Sequence, residues 1–242
     1  MRLALSTLGL PGASLAEAVA LARRFGIEGL ELRLHPDAGV HAGLDGARRS
    51  QVVRTLGSLV PVCLAGYVRI SAPGADGPVV DALRADLDLA RDLGARHVRV
   101  FPGGTDLDAA ARRLAAVADH DVTVLVETHD ALPTGIAVAE LLAMAPRAGA
   151  IWDLLHPWRA GEDPADTLAA LGDRIVCVQI KDAVSATDTT PVRLGTGAVP
   201  LKQARDLLHG FDGWVSLEWE RTWYPHVEPV EEIIPGALSW VG

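Results

Sequence analysis

The runs VTVLVETH (122–129), AIWDLLH (150–156), VCVQIKD (176–182) and WVSLEWE (214–220) decide the fold. Each is a short apolar stretch closed by a carboxylate or an amide: Glu127, Asp153, Gln179 and Glu218. Those residues are about 26, 26 and 39 positions apart, the repeat of a strand followed by a helix. An ionisable group at the end of a buried strand is costly unless a partner, a metal or a reaction occupies it. Four on successive strands therefore mark both an architecture and a site.

Working outward, the first half of the chain carries the same texture. Apolar runs at Leu3–Thr7, Gly29–Arg33, Val62–Ile70 and His97–Phe101 read as strands and join Val122–Glu127, Ala150–Leu155, Ile175–Ile180 and Trp214–Trp219. Between them lie segments of helical periodicity: Leu15–Phe25, Arg48–Leu59, Val79–Leu93, Leu107–Ala118, Gly135–Met144, Ala165–Leu171, Leu201–Leu208 and a last one at Glu231–Trp240. Ser14 and Asp106 stand where N-caps belong, and Gly26, Gly94 and Gly172 where helices end. Pro164 and Pro200 suit helix starts, while Pro235 kinks the last helix or marks its true beginning. Eight strands alternating with eight helices predict an α/β (β/α)8 TIM barrel, one domain over residues 1–242. The competing open doubly wound sheet usually carries a G-x-G-x-x-G turn, and GLPG after the first strand is not one.

Strand residues alternate sides. In VCVQIKD, the apolar Val176, Val178 and Ile180 suit the helix layer, which sends Cys177, Gln179 and Lys181 into the barrel. The same parity pairs Glu127 with His129 and Glu218 with Glu220, and puts Asp153 inward with His156 in the loop beyond. Barrel active sites form at the C-terminal strand ends. Three carboxylates meeting there repel one another unless a cation intervenes, and oxygen-rich ligation suits Mn²⁺ or Mg²⁺. Arg33, Arg69 and Arg99, near the ends of strands two to four, are candidates to grip a phosphate or carboxylate, or to pair with a nearby acid. Trp158, Trp219 and Trp223 flank the expected mouth, and Trp223, in the loop after the last strand, is the best placed to stack on a substrate.

Composition excludes other classes. Of 242 residues, 49% are hydrophobic and 22% charged, enough to bury a large core. The net charge of −9 and the lack of a Lys/Arg run argue against nucleic acid as a partner. Two cysteines in apolar runs, Cys63 and Cys177, read as buried thiols of a reducing compartment. No stretch approaches a membrane span, and the N-terminus lacks a signal-peptide pattern, so a cytoplasmic protein without a membrane partner is expected.

VLVETHD, WDLLHP, VQIKDA, PVRLGTGAVPL and FDGWVSLEWE together resemble the xylose isomerase-like barrel superfamily, the sugar phosphate isomerases and epimerases, over essentially the whole chain. The resemblance implies metal ligands at Glu127, Asp153, Gln179 and Glu218. It also implies that Glu127 and Glu218 move a proton on and off carbon through a metal-stabilised enediolate. His156 matches a substrate-contacting histidine, and Lys181 the lysine of a His-x-Lys-Asp motif; both count with the glutamates as catalytic. His129, His156, Arg69 and Trp223 are expected to bind substrate. Two positions depart from the family: Gln179 stands where His is usual, and Thr196 where a Glu often lies between Gly195 and Gly197. The reaction expected is isomerisation or epimerisation of a small keto-sugar, sugar phosphate or cyclitol. A lyase or dehydratase using the same chemistry, or a barrel retained as a binding subunit, are the alternatives. An apurinic-site endonuclease would need more histidines and a basic face. Trp240, expected at the surface, suggests a homo-oligomer interface.

Overall fold

Eight parallel strands close into a barrel in sequence order in the computed structural model, which describes all 242 residues. They are β1 (Arg2–Ser6), β2 (Gly29–Arg33), β3 (Val60–Arg69), β4 (His97–Phe101), β5 (Thr123–Glu127), β6 (Gly149–Asp153), β7 (Ile175–Ile180) and β8 (Trp214–Leu217). The helices are α1 (Leu15–Arg24), α2 (Gly46–Leu56), α3 (Asp76–Leu93), α4 (Leu107–Ala115), α5 (Gly135–Met144), α6 (Leu155–Arg159), α7 (Pro164–Leu171), α8 (Leu201–Leu207) and α9 (Ile234–Val241). None is long and apolar enough to cross a membrane.

Local chemistry sets the boundaries. Ser14 caps α1 in a reciprocal box with Glu17, and Asp106 accepts from the Ala109 amide to open α4. Pro235 stands in the first turn of α9, so it marks the start of that helix and kinks nothing. The ninth helix, α6, occupies the stretch expected as loop around His156. The Asp153 carboxylate accepts from the Leu155 amide at 2.8 Å and caps the turn, and Pro157 falls in its first turn, where its missing N–H costs nothing. Trp240 is a correction: it is buried, with Nε1 donating to the Leu201 carbonyl at 3.0 Å, and offers no exposed face for an oligomer interface.

The outward strand residues, such as Leu30, Leu64, Val100, Val126, Val178 and Val215, join the helices in one cluster of 57 buried hydrophobic residues. Inside the barrel the apolar cluster is only seven: Ala4, Val62, Cys63, Leu125, Ile151, Cys177 and Trp214. The core thus lies between sheet and helices, where each large side chain stabilises by about 1.5–3 kcal/mol. Cys63 and Cys177 are free thiols in that lower layer. Trp214 fills the floor because Gly29 yields room; a Cβ there would sit 2.6 Å from its ring. Buried Arg113 of α4 donates to the carbonyls of Ile70, Ala72 and Gly74 and to Asp76, fixing the loop that follows β3.

Candidate active site

Above the apolar floor the barrel interior turns polar. Register sets Ser6 beside Glu31, Asp153 beside Gln179, and Gln179 beside Ser216. Gln179 Nε2 donates to both oxygens of Glu31, at 3.2 and 3.1 Å, and to Glu218 Oε1 at 3.2 Å. As β2 and β7 are not neighbours, the first of these contacts crosses the inside of the barrel. Arg99 Nη1 donates to Glu127 Oε2 at 2.5 Å, with its guanidinium 3.8 Å from the Phe101 ring centroid. Lys181 Nζ reaches Asp153 Oδ2 at 2.7 Å and Glu220 Oε1 at 3.0 Å and bonds Glu218 Oε2. Glu31, Glu127, Asp153 and Gln179 are each at most 1% exposed.

Burial and crowding tune these groups. Burial, reinforced by Glu218 and Asp153 against the pull of Arg99, pushes Glu127 up to about 8. Burial and then Glu218 raise Glu31 to about 7. Burial also opposes ionisation of Asp153, but Lys181 and His156 hold its carboxyl below the usual range. Lys181 likewise loses hydration, yet Asp153, Glu218 and Glu220 keep it firmly protonated. His129 and His156 face each other with ring centroids 4.2 Å apart, and burial pushes both down to about 4, so they are neutral at pH 7.

The donor set fits a divalent cation. Five acids (Glu31, Glu127, Asp153, Glu218 and Glu220) meet only two obligate cations, Arg99 and Lys181, a surplus of acid in a water-poor space. Gln179 Oε1 is buried with no hydrogen-bond partner, and the grip of Glu31 on Nε2 fixes the amide that way round. Glu127, Asp153, Gln179 and Glu218 offer hard oxygens of the kind a divalent cation takes. The acid and histidine ligand atoms that already lie within 4.8 Å of one another belong to an overlapping set, Glu127, His129 and His156. Lys181 meanwhile stands as the cation on Asp153 and Glu218.

Seven of the residues expected from sequence thus meet in one place: Glu127, His129, Asp153, His156, Gln179, Lys181 and Glu218. Lys181 pairs with Glu220 rather than with its neighbour Asp182. Asp182 instead accepts from the amides of Gly195, Gly197 and Val199, so this turn is braced from within and Thr196 has no acid to replace in that role. Arg69 is not brought in: it is exposed, without an ion pair, its stem against Gly103. Trp223 is 55% exposed and reaches the site only through Arg33, 5.3 Å from its ring. Trp219 is buried and donates to the Glu228 carbonyl, and Trp158 packs on the core, so neither offers a face to the mouth. Glu31, Tyr67 and Phe101 are site residues that the sequence reading passed over. The alternation in GLELR was the signal for Glu31; a register shift between Ala65 and Arg69 hides the parity that would have exposed Tyr67.

The family model for the xylose isomerase-like TIM barrel matches residues 19–241. The chain belongs to that family. No curated protein sequence matches it. Among solved structures, the xylose isomerase-like chain is similar to the IolI protein with a bound zinc atom, at TM-score 0.81 and 18% identity over 99% of this chain and 96% of that one. It is similar to the probable 3-DHS dehydratase AsbF of Bacillus anthracis, at TM-score 0.80 and 21% identity over 99% and 98%. It is also similar to the 3-keto-D-glucoside 4-epimerase YcjR of E. coli, at TM-score 0.73 and 13% identity over 100% and 98%. At these identities the likeness is one of fold, which this family puts to varied chemistry.

Proposed function

We propose that this family member is a divalent-metal-dependent isomerase or epimerase of a small hydroxycarbonyl compound: a keto-sugar, sugar phosphate or cyclitol. One observation carries the reading. Two buried glutamates, Glu127 and Glu218, share the mouth but answer to different cations, Arg99 at 2.5 Å and Lys181. Two carboxylates held side by side by different cations are placed as proton removal and return at carbon require.

A divalent ion held by Glu127, Asp153, Gln179 and Glu218 supplies Lewis-acid polarisation of a substrate carbonyl, with Mn²⁺ or Mg²⁺ the preferred ions. The chain's own groups do the rest. One glutamate takes the proton from the carbon beside the carbonyl and the other returns one. Lys181, its ammonium held by Asp153, Glu218 and Glu220, offsets the acids of the mouth, and neutral His129 and His156 hold substrate hydroxyls. Positioned acid–base groups of this kind contribute about 10²–10⁴-fold. Water is kept out because Glu127, Asp153 and Lys181 are almost fully buried.

A dehydratase is the second reading, favoured by the likeness to AsbF and by the raised pKa of Glu127. There the Glu127 carboxyl, kept protonated by burial, gives its proton to a hydroxyl departing β to the carbonyl, and the enolate collapses to a double bond instead of taking a proton back at carbon.

The test is solvent exchange in D₂O with Mn²⁺-loaded protein, followed by proton NMR and mass spectrometry across a panel of keto-sugars, their phosphates and cyclic hydroxyketones. The expected result is deuterium at the carbon beside a carbonyl, lost in Glu127→Gln and Glu218→Gln. Products of unchanged mass mean epimerisation or isomerisation; products lighter by one water mean the dehydratase. A panel without exchange and without product overturns both readings.

A further inference from the structure

The chemistry above leaves one cation at the mouth unused. Gly29, Glu31 and Arg33 share the inner face of β2, so Arg33 stands one step above Glu31 at the strand's C-terminal end. Its Nε donates to Tyr67 Oη at 2.8 Å, and its guanidinium lies 5.6 Å from the Tyr67 ring and 5.3 Å from the Trp223 ring. Its own amide is pinned to Thr7 Oγ1 at 2.9 Å. Tyr67 also faces Arg99 at 5.6 Å, and Arg99 holds Glu127, so the arrangement is continuous with the proton-transfer site.

Arg33 has no acidic partner, although the chain carries a net charge of −9 and a crowd of acids lies one layer below. Two aromatic rings and a hydroxyl hold the side chain instead, and both terminal nitrogens of the fork are left undonated. Arg99 and Lys181, the other cations of the mouth, are already committed to carboxylates. Arg69 is uncommitted, but no polar contact holds its guanidinium in place. An anionic substrate entering this acid-rich barrel needs a free, positioned cation, and a planar fork matches the paired oxygens of a carboxylate or phosphate.

We infer that Arg33, held between Tyr67 and Trp223, receives an oxyanion group of the substrate, which is therefore an acidic hydroxycarbonyl compound and not a neutral sugar. The statement about the substrate rests on the proposed reaction; the statement about the anion site stands without it.

Because Trp223 touches the guanidinium, its emission reports occupancy without any turnover. The full-length protein is titrated with inorganic phosphate in one arm and glycolate in the other, at constant ionic strength, by fluorescence and by calorimetry. Saturable binding of at least one anion is expected, weakened about 10–100-fold in Arg33→Met, in keeping with loss of charge-assisted hydrogen bonds. Arg33→Lys, which keeps the charge without the fork, should fall between and guards against a misfolded Met variant. Trp223→Phe should lose the optical signal while calorimetric binding persists. Arg48→Met, a change at an exposed arginine on α2, should alter neither. The anion bound tighter names the source, carboxylate or phosphate. Anion binding that is absent, or that survives intact in Arg33→Met and Arg33→Lys, overturns the inference. Exchange on neutral keto-sugars that Arg33→Met leaves untouched also overturns it, while the proposed reaction stands. Arg33-dependent anion binding with no exchange on any substrate keeps this inference and defeats the reaction.

Discussion

Replacing Lys181 by Met tests whether the buried acids need a cation and whether lysine and metal compete for the role. The ammonium touches Asp153 at 2.7 Å, Glu220 at 3.0 Å and Glu218 closer still, and is 3% exposed. Removing one partner of a buried ion pair costs about 3–5 kcal/mol, because the remaining charge is left without compensation. For a chain of this size 1 kcal/mol corresponds to about 2–4 °C, so unfolding should fall by about 6–20 °C when followed by calorimetry in chelator. Mn²⁺ should then rescue the variant more than the wild type, since Asp153 and Glu218 have lost their resident cation. At about a hundredfold excess over its dissociation constant the ion adds about 2.7 kcal/mol. A variant that melts at the wild-type temperature in chelator would show that these acids tolerate one another unaided. Equal Mn²⁺ shifts in both proteins would refute the competition between lysine and metal.

Three further outcomes follow from the geometry. Asp86 of α3 is half-buried and without a hydrogen-bond partner, and burial pushes its carboxyl from 3.8 up to about 6. The folded state therefore holds the proton more tightly, and the stability this contributes is full below pH ~4 and lost as pH rises through ~6. Asp86→Asn should be neutral at pH ~4 and stabilise by up to about 3 kcal/mol at pH ~7.5, read by urea unfolding at both; a difference that does not change between the two pH values would rule this out. Arg113→Ala strips the donor from three loop carbonyls and should cost about 3 kcal/mol or more, seen as an earlier urea midpoint; a midpoint within error of wild type would contradict it. Gly197→Ala drives a Cβ to 2.3 Å from the Ala183 carbonyl and the Asp182 carboxylate, so the turn bound to Asp182 should open and limited proteolysis should cut between β7 and α8, where the parent resists.

The barrel is legible in the sequence because parallel strands covered on both faces read as unbroken apolar runs, and because caps and prolines punctuate the helices between them. The inward direction of Gln179 and Lys181 follows from VCVQIKD alone, since Val176, Val178 and Ile180 leave no other face for the polar set. For Glu31 the inward direction is there to read in the alternation of GLELR, but its role is not. Within GLELR it is one polar residue in a short strand, and its partner Gln179 lies 148 residues away. Only closure of the barrel brings β2 opposite β7. Trp240 misleads in the same way, its indole N–H meeting a carbonyl 39 positions back. Partners fixed by topology leave no local pattern to read, even where the direction of a side chain does.

The same topology explains how so many buried charges are tolerated. Seven apolar residues line the inside of the barrel against 57 outside it, so the hydrophobic stabilisation lies almost wholly between strands and helices. Stacking on that outer layer holds each strand wherever its inward side chains point. The upper interior can then carry Glu31, Glu127, Asp153 and Glu218 at a cost met locally by Arg99, Lys181 and the Gln179 amide. Exchanging an inward residue therefore alters charge balance in the mouth before it alters the fold, whereas exchanging Val126 or Val178 on the outer face opens a cavity in the layer that keeps the barrel closed. Chemistry at the strand ends is free to vary for this reason, and it is why membership of the family fixes the frame and leaves the reaction to side chains such as Glu127, Glu218 and Arg33.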